Sequence, residues 1–117
     1  MATDKNFIDY ACKQMHEAGD ITNKKMFGEY MIYCYAKPIF LVCNNTVFAK
    51  MLPEVAEVFL KHERMLETSY PYNGAKEHYI VDIDDKELVL DLAVLLYRIL
   101  PMPKPKKKKP ASKLPLK

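Results

Sequence analysis

Apolar residues recur along this chain with two different periods. Phe7, Ile8, Ala11, Met15 and Ala18 are spaced by three and four, which puts them on one side of a helix over residues 4–18. Thr3 or Asp4 can cap its start, and Gly19 can take the left-handed conformation just past its end. From Lys24 to Lys50 the period changes to two. The run KKMFGEYMIYCYAKPIFLVCNNTVFAK reads as a strand, a bend at Gly28, a second strand, a tight turn, a third strand, an Asn-Asn turn and a fourth strand.

In that stretch Tyr30, Ile32 and Cys34 share one face, and Met31, Tyr33 and Tyr35 share the other. A two-residue turn at Tyr35-Ala36 or at Ala36-Lys37 gives different registers. Both place Ile32 with Ile39 and Leu41, and Phe48 joins that face while Val47 takes the other. Both faces of the sheet are apolar. One layer of helices covers one of them, so the other calls for a second layer, a partner subunit or a ligand.

The helical period returns after Pro53, which suits a first helical turn, with Val55, Ala56, Phe59 and Leu60 as the apolar side. Residues 62–68 read as a polar loop. Tyr70-Pro71-Tyr72 and Gly74 lead into a fifth strand, residues 78–82. Asp84 or Asp85 then caps a helix over residues 86–100 that is apolar nearly all round, which predicts burial on most sides. Pro101 and Pro103 stop it. The element order α-β-β-β-β-α-β-α predicts an α+β domain over residues 1–100, an antiparallel meander flanked by helices. Residues 101–117 read as an extended, disordered Lys/Pro-rich tail.

Charge divides the chain in the same place. Residues 1–100 carry eleven basic and fifteen acidic side chains, a net −4; residues 101–117 carry seven lysines and no acid. Lys104, Lys106, Lys107, Lys108, Lys109 and Lys113 are candidates for non-specific contact with nucleic acid phosphates. The start of the chain has no signal-peptide pattern, and no apolar run reaches the roughly 20 residues of a bilayer span, so a cytoplasmic protein without membrane contact is expected. Three cysteines, Cys12, Cys34 and Cys43, form no CxxC and read as buried free thiols.

The chemistry-bearing residues point away from catalysis. His16, His62 and His78 lack metal-ligand spacing, and Cys12, His16 and Glu17 would share one helix with no orienting third group marked. Asp82, Asp84 and Asp85 suit helix capping better than cation binding, since no glycine follows at the spacing of a calcium loop. The segment around Lys25, Phe27 and Gly28 has a faint likeness to an RNA-stacking strand, but Met26 and Glu29 stand where a glycine and an aromatic belong. No catalytic, cofactor or metal residue is assigned.

Met26, Phe27, Gly28, Tyr30 and Tyr33, followed by a tight turn and by Pro38, Leu41, Val42, Phe48 and Lys50, resemble the signature of the N-terminal domain of the TfoX/Sxy family. The likeness covers about residues 5–100. It implies a small α+β fold like that of type III secretion chaperones, which commonly dimerise, and a role in gene regulation, natural DNA competence among them, without catalysis or cofactor. Two departures stand out. Tyr35-Ala36 occupies the turn where the family often has Asp-Gly, and the lysine tail stands where full-length competence regulators carry a second helical domain. The expectation is a homodimeric regulatory or interaction protein with a regulatory protein partner. The alternative is a small enzyme or ligand-binding domain with a pocket between helix and sheet.

Overall fold

The computed structural model describes residues 3–26 and 29–101. Helix α1 (Lys5–Gln14) and a short 3-10 turn (His16–Ala18) lead into the meander β1 (Ile21–Met26), β2 (Glu29–Cys34), β3 (Lys37–Cys43) and β4 (Thr46–Lys50). Helix α2 (Pro53–Lys61), strands β5 (Thr68–Ser69) and β6 (His78–Val81), and helix α3 (Lys86–Ile99) complete the fold. The six strands form one antiparallel sheet in the order β1-β2-β3-β4-β6-β5, an α+β fold. The first strand starts earlier than expected, at Ile21, and β5 is a two-residue strand inside the segment read as loop and turn.

Both tight turns of the meander sit at positive φ. Tyr35 and Ala36 have φ of 48° and 66°, and Asn44 and Asn45 have 52° and 56°. This geometry matches the right-handed twist of the flanking strands, and it selects Tyr35-Ala36 over Ala36-Lys37 as the turn. Asparagine tolerates it, whereas tyrosine and alanine adopt it under strain.

The register departs from the expected one at a single residue. Tyr33 pairs with Pro38, but Ile32 pairs with Phe40, so Ile39 is an extra residue bulged out of β3. Proline has no N–H for a ladder, and β3 pairs with β4 only from Leu41 onward, so the bulge falls where β3 is free of that neighbour. The slip exchanges the faces. Ile32 lies with Phe40, Val42 and Val47, whereas Leu41 and Phe48 lie on the opposite side.

The helices all pack on the Ile32 side, not on both. Tyr30, Val42, Val47 and Val81 stand side by side across four strands, and each is buried. Ile8, Ala11 and Met15 of α1, Val55 and Phe59 of α2, and Leu88, Val89, Leu92, Ala93 and Leu96 of α3 close over them in one cluster. The helix ends differ in detail from expectation. Asp85 caps α3, its carboxylate accepting from the Leu88 amide at 3.2 Å, whereas Asp4 stands at the start of α1 without a side-chain cap. Gly19 has φ +154° rather than the left-handed conformation, and a Cβ there would lie 2.5 Å from the Tyr35 ring. Leu60 and Val94, counted on the apolar sides of α2 and α3, are 61% and 41% exposed, so α3 buries one face rather than most sides.

Candidate functional site

Among the described residues, the opposite side of the sheet carries no helix. Its register sets Lys24, Met31, Leu41, Phe48 and Ile80 in one row across five strands. Met26, Cys43 and Tyr33 extend this face along the strands, with Lys50 and His78 at one margin. Strand alternation explains why each of these residues is here. In β2, β3, β4 and β6 each of them stands one residue away from a buried position, and apart from Lys24, Lys50 and His78 they are apolar although no helix among the described residues covers them. Phe48 is still buried, with the His78 ring edge-on at 6.4 Å between centroids.

Two hollows mark this face. The larger, about 570 Å³, is lined by Met26, Glu29, Met31, Leu41, Cys43 and Tyr72. Tyr72 comes from the β5–β6 connection and is 58% exposed, so that connection reaches over to the β2–β3 part of the sheet. The smaller, about 170 Å³, lies across Met31, Leu41, Phe48 and His78 and reaches Leu100 at the end of α3. The larger of the two thus lies on the sheet face away from the helices.

Glu29, at the rim, has a structural task. Its Oε1 accepts from the Thr3 hydroxyl at 2.7 Å and from the Asn44 amide at 3.0 Å, and the Asn45 amide donates to Thr3 Oγ1. One carboxylate oxygen therefore ties the N-terminal segment to the β3–β4 turn. Cys43, on the floor, is 2% exposed, and burial, helped by the Glu29 charge, pushes its thiol up to about 11. Such a thiol stays protonated at neutral pH and is a poor nucleophile. Burial also raises Cys34 and Cys12, and all three cysteines are free.

The residues singled out in the sequence separate here. Of the signature residues, Met26 lines the larger hollow, Tyr30 is in the core and Tyr33 is on the open face, whereas Phe27 and Gly28 lie outside the described residues. Lys104, Lys106, Lys107, Lys108, Lys109 and Lys113 also lie outside them. The three aspartates before α3 each meet a donor: Asp82 the Arg64 guanidinium, Asp84 the Tyr10 hydroxyl at 2.6 Å, and Asp85 the start of α3. Cys12 accepts a long contact from the Asn23 amide group at 3.5 Å. His62 pairs with Asp91 at 2.6 Å, joining α2 to α3.

Sequence reasoning passed over Lys37. It is 8% exposed; its ammonium donates to the Tyr97 carbonyl at 2.6 Å and lies 4.7 Å from that ring's centre. This contact anchors the Tyr35-Ala36 turn to the last turn of α3, where a cation is favoured by the helix dipole. A lysine beside a proline in a strand gave no signal of burial, because its anchor lies sixty residues away.

No family model matches the chain. An uncharacterized 12.7 kDa protein in the trpE 5′ region of Spirochaeta aurantia is 30% identical over 111 residues, which cover 93% of each chain. The chain belongs to the family of that protein. Among the described residues no helix is long and apolar enough to cross a membrane.

Proposed function

We propose that the chain is a cytoplasmic regulatory or interaction protein, homodimeric and without catalysis, similar in role to the N-terminal domain of TfoX-type regulators. One observation carries this reading: the apolar row Met31, Leu41, Phe48 and Ile80 on the sheet face opposite the helices, with Met31, Leu41 and Ile80 half-buried and Phe48 buried. A four-strand apolar strip of this kind is a surface for another macromolecule. Three free, protonated thiols suit a reducing compartment. The lysine tail adds a sequence-independent hold on nucleic acid, because each phosphate neutralised releases condensed cations. The acidic body, at −4, turns away from the duplex.

Affinity capture from the native cytosol, with and without nuclease, tests the first part. Wild-type protein should retain a protein partner that Leu41→Asp loses; equal retention by both overturns the role of the open face. Fluorescence anisotropy across a salt series tests the tail. Full-length protein should bind duplex DNA with a slope of about −4 to −5 if five lysines engage. A chain ending at Leu100 should not bind. Equal binding by both places the contact on the body.

The larger hollow favours a second reading, a ligand-binding domain. Its volume is in the range of small-molecule sites, and its lining is apolar apart from Glu29 and the Tyr72 hydroxyl. A small amphipathic amine that raises the melting temperature of wild type but not of Tyr72→Ala would support it.

A further inference from the structure

Strand β1 ends the sheet, and among the described residues no strand lies on its outer side. Which of its backbone groups face outward follows from one hydrogen bond. The Tyr35 amide donates to the Asp20 carbonyl at 2.9 Å, which makes Asp20–Tyr35 a hydrogen-bonded pair of this antiparallel ladder. Every second pair of the same register has the same character: Thr22–Tyr33, Lys24–Met31 and Met26–Glu29. Ile21, Asn23 and Lys25 therefore turn their N–H and C=O groups away from β2. The side chains of Thr22, Asn23, Lys24 and Lys25 are exposed along this edge.

We propose that this edge pairs with the same edge of a second copy, antiparallel, about a two-fold axis through Asn23. The inference rests on the dimer proposed above and gives it an interface, one that leaves the open apolar face free for another partner.

The register is what makes the edge self-complementary. With Asn23 opposite the partner's Asn23, Lys25 falls opposite the partner's Ile21, and Thr22 opposite the partner's Lys24. The outward-facing residues of one strand then meet those of the other, and about six backbone hydrogen bonds form. No lysine stands directly opposite a lysine; Lys24 has both the partner's Asp20 and the partner's Lys24 as diagonal neighbours. Asp20, just before β1, lies diagonal to the partner's Lys24 on the same face, within reach of a long side chain. The neighbouring registers do worse. An axis through Lys24 sets Lys24 directly against the partner's Lys24, a destabilising like-charge pair. An axis through Thr22 sets Lys25 opposite the partner's Gly19, outside the strand, and loses the bonds that Lys25 would make. The two lysines thus blunt the edge against misaligned pairing, while one register escapes the penalty. Strand β5, at the other edge, has two residues and offers no comparable template.

The test uses the full chain with Cys12→Ser, so that the remaining native thiols are buried. Thr22 and the partner's Lys24 would form a non-hydrogen-bonded pair with Cα atoms about 4.5 Å apart, close enough for a disulfide. Thr22→Cys and Lys24→Cys proteins, mixed and oxidised, should give a disulfide-linked dimer that neither gives alone. Asn23→Pro removes an outward N–H and leaves the ladder to β2 intact. It should sediment as a monomer, with an unchanged far-ultraviolet circular dichroism spectrum, at micromolar concentrations where the parent is a dimer. A dimer that survives Asn23→Pro and gives no mixed disulfide overturns the edge interface while leaving dimerisation itself standing. Cross-linking by Thr22→Cys alone overturns the register. A parent protein that stays monomeric overturns both the interface and the dimer.

Discussion

Ala36 is where residue preference and fold disagree most directly. Its φ of 66° is a conformation that a β-carbon disfavours by about 1–2 kcal/mol, and the turn it occupies is fixed by the strands on either side. Glycine removes that strain but adds freedom to the unfolded chain. Ala36→Gly should therefore stabilise the protein by about 0.5–1 kcal/mol, read from the urea midpoint; a loss of stability would mean the alanine methyl makes a contact of its own. Asn44-Asn45 adopts the same geometry with residues suited to it, and this turn was legible in the sequence for that reason. Tyr35-Ala36 was legible only as one of two choices, since neither of its residues signals positive φ.

At the scale of elements, two contacts hold the helices to the rest. Lys37 fastens the β2–β3 hairpin to the end of α3 through the Tyr97 carbonyl. Lys37→Met keeps the bulk of the side chain but leaves that carbonyl without its charged donor. The expected cost is about 1.5–3 kcal/mol by chemical denaturation. The second contact joins α2 to α3. The hydrogen bond from His62, with a further one from Lys61, holds the Asp91 carboxyl below its ordinary 3.8 despite partial burial. A carboxyl lowered in the folded state contributes stability that is present above 3.8 and is lost as pH falls through the lowered value. Asp91→Asn should be less stable than wild type at neutral pH, and the gap should close as the pH is taken below 4. A gap that stays constant down to pH 2 would assign the contact another origin. Neither contact was visible in the sequence, because each joins residues from elements far apart in the chain.

For the whole molecule, the decisive feature is that helices cover one face of the sheet and, among the described residues, no helix covers the other. Phe40 and Leu41 are neighbours in β3 and test this. Phe40 is 1% exposed beneath the helices, and Phe40→Ala should cost about 3–5 kcal/mol. Leu41 is half-buried on the open face, so Leu41→Ala should cost about 1 kcal/mol in the isolated chain and show its larger effect on association. Thermal unfolding of both variants reads these costs, and capture of a partner reads the effect on association. Equal costs would mean the open face is covered by the chain itself.

The period of the apolar residues determined the helices, all the strands but the two-residue β5, and the α+β class, because hydrophobic period follows directly from the geometry of helix and strand. It also determined that both faces of the sheet are apolar and that Pro53 opens a helix. Which apolar set lies inside depended on one extra residue, Ile39, since a slip of one position reverses the faces of a strand. Period cannot register such a slip, and grouping Leu41 and Phe48 with Ile32 therefore puts them on the opposite face from the one they occupy. The tertiary structure alone decided that the helices of the described residues share one face, that Lys37 is buried, and that none of those helices covers the row from Met31 to Ile80. These depend on contacts between elements, where the position of each layer is fixed by the packing of the others.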